Sequence, residues 1–155
     1  MIIFTFKSLA VRIIAVVVLL AYSLTSPADQ NDPALDGLFE RLAITTNDEE
    51  ASNISREIWQ RWTTNDDPSV SQLVQIGIRA MDYGTYRRAL QYFDRVIEIA
   101  PEFAEGWNRR ATLYYHIKEY RRSIDDIKET LRLEPRHFGA WSGLGLISVA
   151  QENYP

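Results

Sequence analysis

The stretch WNRRATLYYHIKEYRRSIDDIKETLRLEPRHFGAW, residues 107–141, begins and ends on Trp, and that 34-residue interval repeats through the C-terminal half of the chain. Shifted by it, Gly77 falls on Ala111 and then on Gly145, and Tyr86 falls on Tyr120 and then on Tyr154. Arg87-Arg88 falls on Arg121-Arg122, Ala89-Leu90 on Ser123-Ile124, Phe93 on Ile127, Ile99 on Leu133 and Pro101 on Pro135. Inside each interval the apolar residues have helical spacing. A fixed period with helical spacing inside it predicts an all-α solenoid, in which each helix pair buries its apolar face on its neighbour.

The residue order is an aromatic or Leu, a small residue at a helix crossing, a Tyr in the turn, an Ala, an aromatic and a closing Pro. This order resembles the tetratricopeptide repeat (TPR). The resemblance covers residues 69–155, divided as 69–103, 104–137 and a partial copy 138–155. It implies a TPR-type helical-hairpin solenoid of about seven helices after an N-terminal signal segment. It also implies a scaffold that binds a protein or peptide, with no catalytic activity and no cofactor. Ligands of the family lie in a concave groove lined by the first helix of each pair. Carried over residue by residue, that lining is Ser71, Val74, Ile78 and Met81, then Glu105, Asn108, Thr112, Tyr115 and His116, then Ser142, Leu146 and Val149. The family's clamp for C-terminal carboxylates uses Lys, Arg and Asn, and Val74 and Ile78 stand at two of its positions, so that ligand class is not expected.

The pattern has local start and stop signals. Asp67-Pro68-Ser69 opens the first clear repeat, with Ser69 and Gln72 as a capping box. Tyr83-Gly84-Thr85 turns the chain, because Gly84 is free to take positive φ. Ala89, Leu90, Phe93, Val96 and Ile97 face inward, and Pro101 stops the second helix. The next repeat departs twice. Lys118 holds the place of Gly84, at a cost of ~1 kcal/mol if the backbone is left-handed there. Arg110 holds an apolar place, Ile76 before it and Leu144 after it, and is expected to lay its stem on apolar surface with its head in water.

Upstream, residues 29–68 read as a degenerate repeat or N-terminal cap. Asp32-Pro33 starts a helix, and Leu35, Leu38, Phe39 and Leu42 share one face. Thr45-Thr46-Asn47 is a turn, and Asn47 with Glu50 marks a second start. Ile54, Ile58 and Trp62 follow, with Trp59 beside them. Residues 1–28 read as a secretory signal peptide: Lys7 and Arg12 are basic, Ile13 to Tyr22 is an apolar run of 10 residues, and Ser26-Pro27-Ala28 resembles a cleavage site. The expected location is periplasmic or secreted, in a bacterial envelope. The alternative is a membrane-anchored assembly factor with an uncleaved anchor, touching the membrane only through residues 1–24, with the repeats still outside.

The net charge of −4 argues against nucleic acid as a partner. Charge is uneven: residues 29–68 carry 10 acidic and 3 basic side chains, and residues 69–155 carry 11 and 12. Without Cys there is neither a disulfide nor a thiolate metal site. A small hydrolase or metal protein built on His116 and nearby acids is disfavoured, since no base and nucleophile are paired. His137 reads as an exposed loop residue. Asp125, Asp126 and Glu129 read as a solvated face, because calcium sites use loops. Arg87-Arg88 and Arg121-Arg122 could form a basic stripe. The favoured reading is solvated helix ends, neutralised locally by Glu119 and Asp125.

Phe138–Glu152 reads as a first helix in register, with no charge between Arg136 and Glu152. Trp141, Leu144 and Ile147 are expected to cover the preceding repeat. Leu146, Val149 and Ala150 are expected to stay wet, which suggests self-association through Phe138–Glu152 or a shortened form of a longer repeat protein.

Overall fold

The computed structural model describes residues 29–152. The expected signal segment 1–28 and the turn residue Tyr154 lie outside the described residues. Within them every regular element is an α-helix: α1 (Ala34–Ile44), α2 (Asp48–Trp62), α3 (Pro68–Asp82), α4 (Tyr86–Ile99), α5 (Ala104–His116), α6 (Tyr120–Leu133) and α7 (Phe138–Glu152). This is the helical-hairpin solenoid that the 34-residue period predicts.

The repeated turns are built alike. Between α3 and α4, Gly84 has φ 68°, and Thr85 N–H returns to Ala80 O at 2.8 Å. Between α5 and α6, Lys118 has φ 64°, and Glu119 N–H returns to Tyr114 O at 2.8 Å. The left-handed turn residue lets the last carbonyls of the first helix find donors. The first helix of each next pair is anchored by its Trp: in α5, Trp107 Nε1 donates to Pro101 O at 2.8 Å, and in α7, Trp141 Nε1 to Pro135 O at 2.9 Å.

Three local structures differ from expectation. Asp67, not Ser69, caps α3: its carboxylate accepts Ser69 N–H at 2.8 Å, with Pro68 at the first helical position. A carboxylate two residues further out reaches the free amides of the first turn, and Pro68 needs no acceptor. Asn47 does cap α2 through Glu50 N–H at 2.9 Å, but the Glu50 carboxylate goes to Thr45 and Arg41. Trp141 is 57% exposed, with its indole N–H tied to the Pro135 carbonyl, and is not one of the residues of the last core cluster.

The core runs as successive small clusters. Val70, Val74, Val96 and Phe103 form one, Ala80, Ala89, Phe93 and Leu113 the next, and Ala111, Ile127, Ala140 and Ile147 the last. Gly77 has no side chain because the Phe93 ring fills the space its Cβ would take. That contact is the α3–α4 crossing, and Ala111 is the corresponding small residue in the next pair.

The hairpin α1–α2 has its own core of Leu35, Leu38, Ile54, Ile58 and Trp62. Among the described residues α2 does not pack along α3, the next helix in sequence. The docking contacts of the hairpin and of the residues just before it go instead to the segments at the starts of α5 and α7. Gln30 holds Glu102 O and Ala104 N, Arg136 reaches Asp36 at 2.7 Å, and Phe138 joins the hairpin core. The acidic hairpin thus meets basic side chains of the repeats.

Candidate functional site

The expected groove residues come from the first helices α3, α5 and α7. The structure divides them by depth. Val74 and Glu105 are buried, at 0% and 1% exposure, so neither is part of an open lining. Val74 lies within an apolar cluster. Ser71 is half-buried and bonded to Asn65, and Ile78 and Met81 pack on the core beside it. His116 is exposed at the end of α5, edge-on to Tyr115 at 5.9 Å. Val149 is exposed on α7.

Five of the residues do converge. Asn108, Thr112 and Tyr115 of α5 and Ser142 and Leu146 of α7 line one cavity of about 110 Å³. Gly139, Gly143, Ala111, Ser123 and Ile127 complete it, and no charged side chain lines it. Ser123 is buried and its hydroxyl donates to Ala111 O at 2.8 Å, so the floor has its polar groups satisfied. The sequence reading missed the two glycines. Their signal was available: Gly139 and Gly143 stand four apart on the same α7 face as Ser142 and Leu146, where small size leaves room.

A buried polar network stands under one end of this groove. The Glu105 carboxylate accepts from Arg109 Nε, from Asn108 Nδ2 at 2.9 Å and from His137 Nε2 at 3.2 Å. His137 Nδ1 accepts Ala140 N–H at 3.1 Å, so Nε2 is the nitrogen that carries the proton. His137 is therefore fully buried, not an exposed loop residue. It acts as the cap of α7 through its ring nitrogen, and Trp62 stacks on it at 4.2 Å with ring planes 10° apart. Trp59 contacts Gly139, where a Cβ would come within 2.6 Å of the indole, and Arg109 lies over its ring at 5.8 Å. Gly139 borders both the cavity and Trp59, so α2 stands at the end of the groove.

Arg110 and Asp126 also differ from expectation. The Arg110 guanidinium is bidentate to Asp126 at 2.8 Å for both bonds and reaches Asp94 at 2.7 Å, so its head is paired rather than hydrated. Asp126 is 5% exposed, not part of a solvated face. Burial pushes its carboxyl above the ordinary carboxylate value, although Arg110 pulls the other way. The bond to Asp126 raises the Arg110 guanidinium in turn. The Asp94 and Asp126 carboxylates give an Arg at an apolar repeat position its partners, so the pair replaces the Ile or Leu of neighbouring copies. Among the described residues no cluster of His, Asp and Glu has the arrangement of a metal site.

No protein-family model matches the chain. Individual proteins do. A TPR repeat-containing protein of Rhizobium etli is 39% identical over 113 residues, 73% of this chain and 55% of that protein. A tetratricopeptide repeat and J domain-containing co-chaperone of Cryptococcus neoformans is 31% identical over 68 residues, 44% of this chain and 13% of its own length. The small glutamine-rich tetratricopeptide repeat-containing protein 2 of Saccharomyces cerevisiae is 28% identical over 75 residues, 48% of this chain and 22% of its own. The chain thus spans about half the length of the Rhizobium relative it matches. Its 34-residue helical hairpins, with their paired left-handed turns and Trp anchors, and its likeness to these repeat proteins place the chain in the tetratricopeptide repeat family.

Proposed function

We propose that this protein is a non-catalytic scaffold that holds a protein or peptide partner in the groove between α5 and α7. The observation that carries the reading is the uncharged cavity shared by two successive first helices, with Tyr115 and the 54%-exposed Leu146 at its rim. An aromatic beside small residues and an amide, with no formal charge, suits an uncharged apolar side chain of a peptide. Relatives named for the same repeat, one of them a co-chaperone, support a role in protein interaction. The test is capture in intact cells with a photocrosslinking side chain at Thr112. Tyr115→Ala should weaken capture by ~1–2 kcal/mol, and Arg121→Ala should leave it unchanged. Equal losses from the two would move the site away from the groove.

The proposed location is outside the cytoplasm, on the strength of the basic start and apolar run of residues 1–28. A reporter fused after Glu152 should be active only when exported. Comparing the mass of mature protein and precursor distinguishes cleavage from a retained anchor facing the periplasm.

A further inference from the structure

Among the described residues Arg41, Arg61, Arg95, Arg109, Arg110, Arg132 and Arg136 hold carboxylates. The two repeated pairs at the starts of α4 and α6 do not, and unlike Arg56 and Arg79, which also lack one, they recur in register on successive hairpins. Arg87, Arg88, Arg121 and Arg122 are all exposed, and among the described residues none has a carboxylate partner. Arg88 reaches the Tyr92 hydroxyl at 3.3 Å, and Arg122 lies over the Tyr114 ring at 5.7 Å. The neutralisation expected from Asp125 does not occur, because Asp125 pairs with Lys128 at 3.4 Å.

The turns at 83–85 and 117–119 each close one hairpin, and these hairpins succeed one another with the same hand and period, so both turns lie along one edge of the solenoid. Segments 82–88 and 116–122 place Arg87, Arg88, Lys118, Arg121 and Arg122 on that edge with two carboxylates, Asp82 and Glu119. Apolar and aromatic groups project among them: Tyr83 is 83% exposed, Tyr86 39% and Ile117 38%. In a protein of net charge −4, this edge has the opposite sign.

We propose that this turn edge docks on an anionic lipid bilayer. Guanidiniums without a carboxylate partner leave their charge open to an external anion, and each such charge near an acidic bilayer favours association. Amphipathic aromatics beside the arginines match the chemistry of the bilayer interface. The surface over Gly84 to Arg88 and Gln91 is an open depression, which suits a broad partner better than a single enclosed side chain. The proposal is independent of what the groove holds and of whether residues 1–28 are retained.

The experiment uses the full chain. It is sedimented with vesicles of phosphatidylcholine alone, or with about one-third phosphatidylglycerol, at low and near-physiological salt. Binding through residues 1–28 does not distinguish wild type from variants, so the comparison isolates the edge. Wild type is expected to partition at least about tenfold more strongly onto the acidic vesicles, with the gap shrinking as salt rises. Arg121→Gln/Arg122→Gln should lose at least about threefold of that gain, and Arg41→Gln/Arg56→Gln, with two charges removed from the α1–α2 hairpin, should lose much less. Circular dichroism checks that helicity is kept. If the arginine variant misfolds, Tyr83→Ser reports on the same edge and should also lower partition. The proposal is overturned if neutral and acidic vesicles bind alike, or if both double variants lose equally. Tighter binding to poly-glutamate than to acidic vesicles at equal charge also overturns it, and assigns the edge to an acidic protein.

Discussion

At the scale of single residues, the informative positions are those where the repeat departs from itself. Arg110 stands where neighbouring copies have Ile76 and Leu144, and its removal would leave Asp126 buried without its partner. Arg110→Leu is expected to cost about 2–4 kcal/mol in urea unfolding at neutral pH, with Arg110→Leu/Asp126→Ala recovering much of it. The sign with pH follows from the direction of the Asp126 shift. Its carboxyl is already raised in the folded protein, so ionisation costs stability as pH rises through the folded value. Losing Arg110 enlarges that cost, so the deficit of Arg110→Leu should shrink as pH falls through the carboxylate range. Lys118, at φ 64°, offers the opposite case: Lys118→Gly should raise the midpoint by an amount equivalent to about 0.5–1 kcal/mol.

At the scale of elements, the hairpin α1–α2 is the part whose attachment rests on a few side chains. Trp62 is 1% exposed, stacks on His137, and leaves its indole N–H without a partner. Trp62→Ala is expected to cost about 3–5 kcal/mol and to speed amide exchange in α1 and α2 far more than in α3 to α6. Trp62→Phe keeps the stacking surface and removes an unsatisfied donor, so it should cost much less. Equal exchange in all helices of the Ala variant would mean the hairpin and the repeats open as one unit. The capping of α3 by Asp67 belongs here too. Its carboxylate is held below the ordinary value by its bonds to Ser69, so this contribution is present above the unfolded value and fades as pH falls.

At the scale of the whole molecule, α7 is apolar on faces that no described helix covers: Trp141, Leu146 and Val149 are each more than half exposed. Sedimentation velocity is expected to show association rising with concentration, and Trp141→Lys/Val149→Glu should shift the protein to monomer. A wild-type chain that stays monomeric at high concentration would make α7 itself a sufficient cap. The solenoid, its seven helices among the described residues, the left-handed turns and the place of α7 were legible in the chain, because a 34-residue period with helical spacing is a local signal repeated in register. Part of the lining of the α5–α7 cavity was legible for the same reason: Asn108, Thr112, Tyr115, Ser142 and Leu146, five of the twelve residues expected there, occupy set phases of that period. What tertiary structure alone decided was pairing between distant segments. His137 is buried because Trp62, from an earlier hairpin, lies on its ring, and Arg110 is charge-paired because Asp94 and Asp126 reach it from two other helices. Period and polarity say which face of a helix a residue occupies. They do not say which partner the fold brings to that face, and burial and charge pairing depend on the partner.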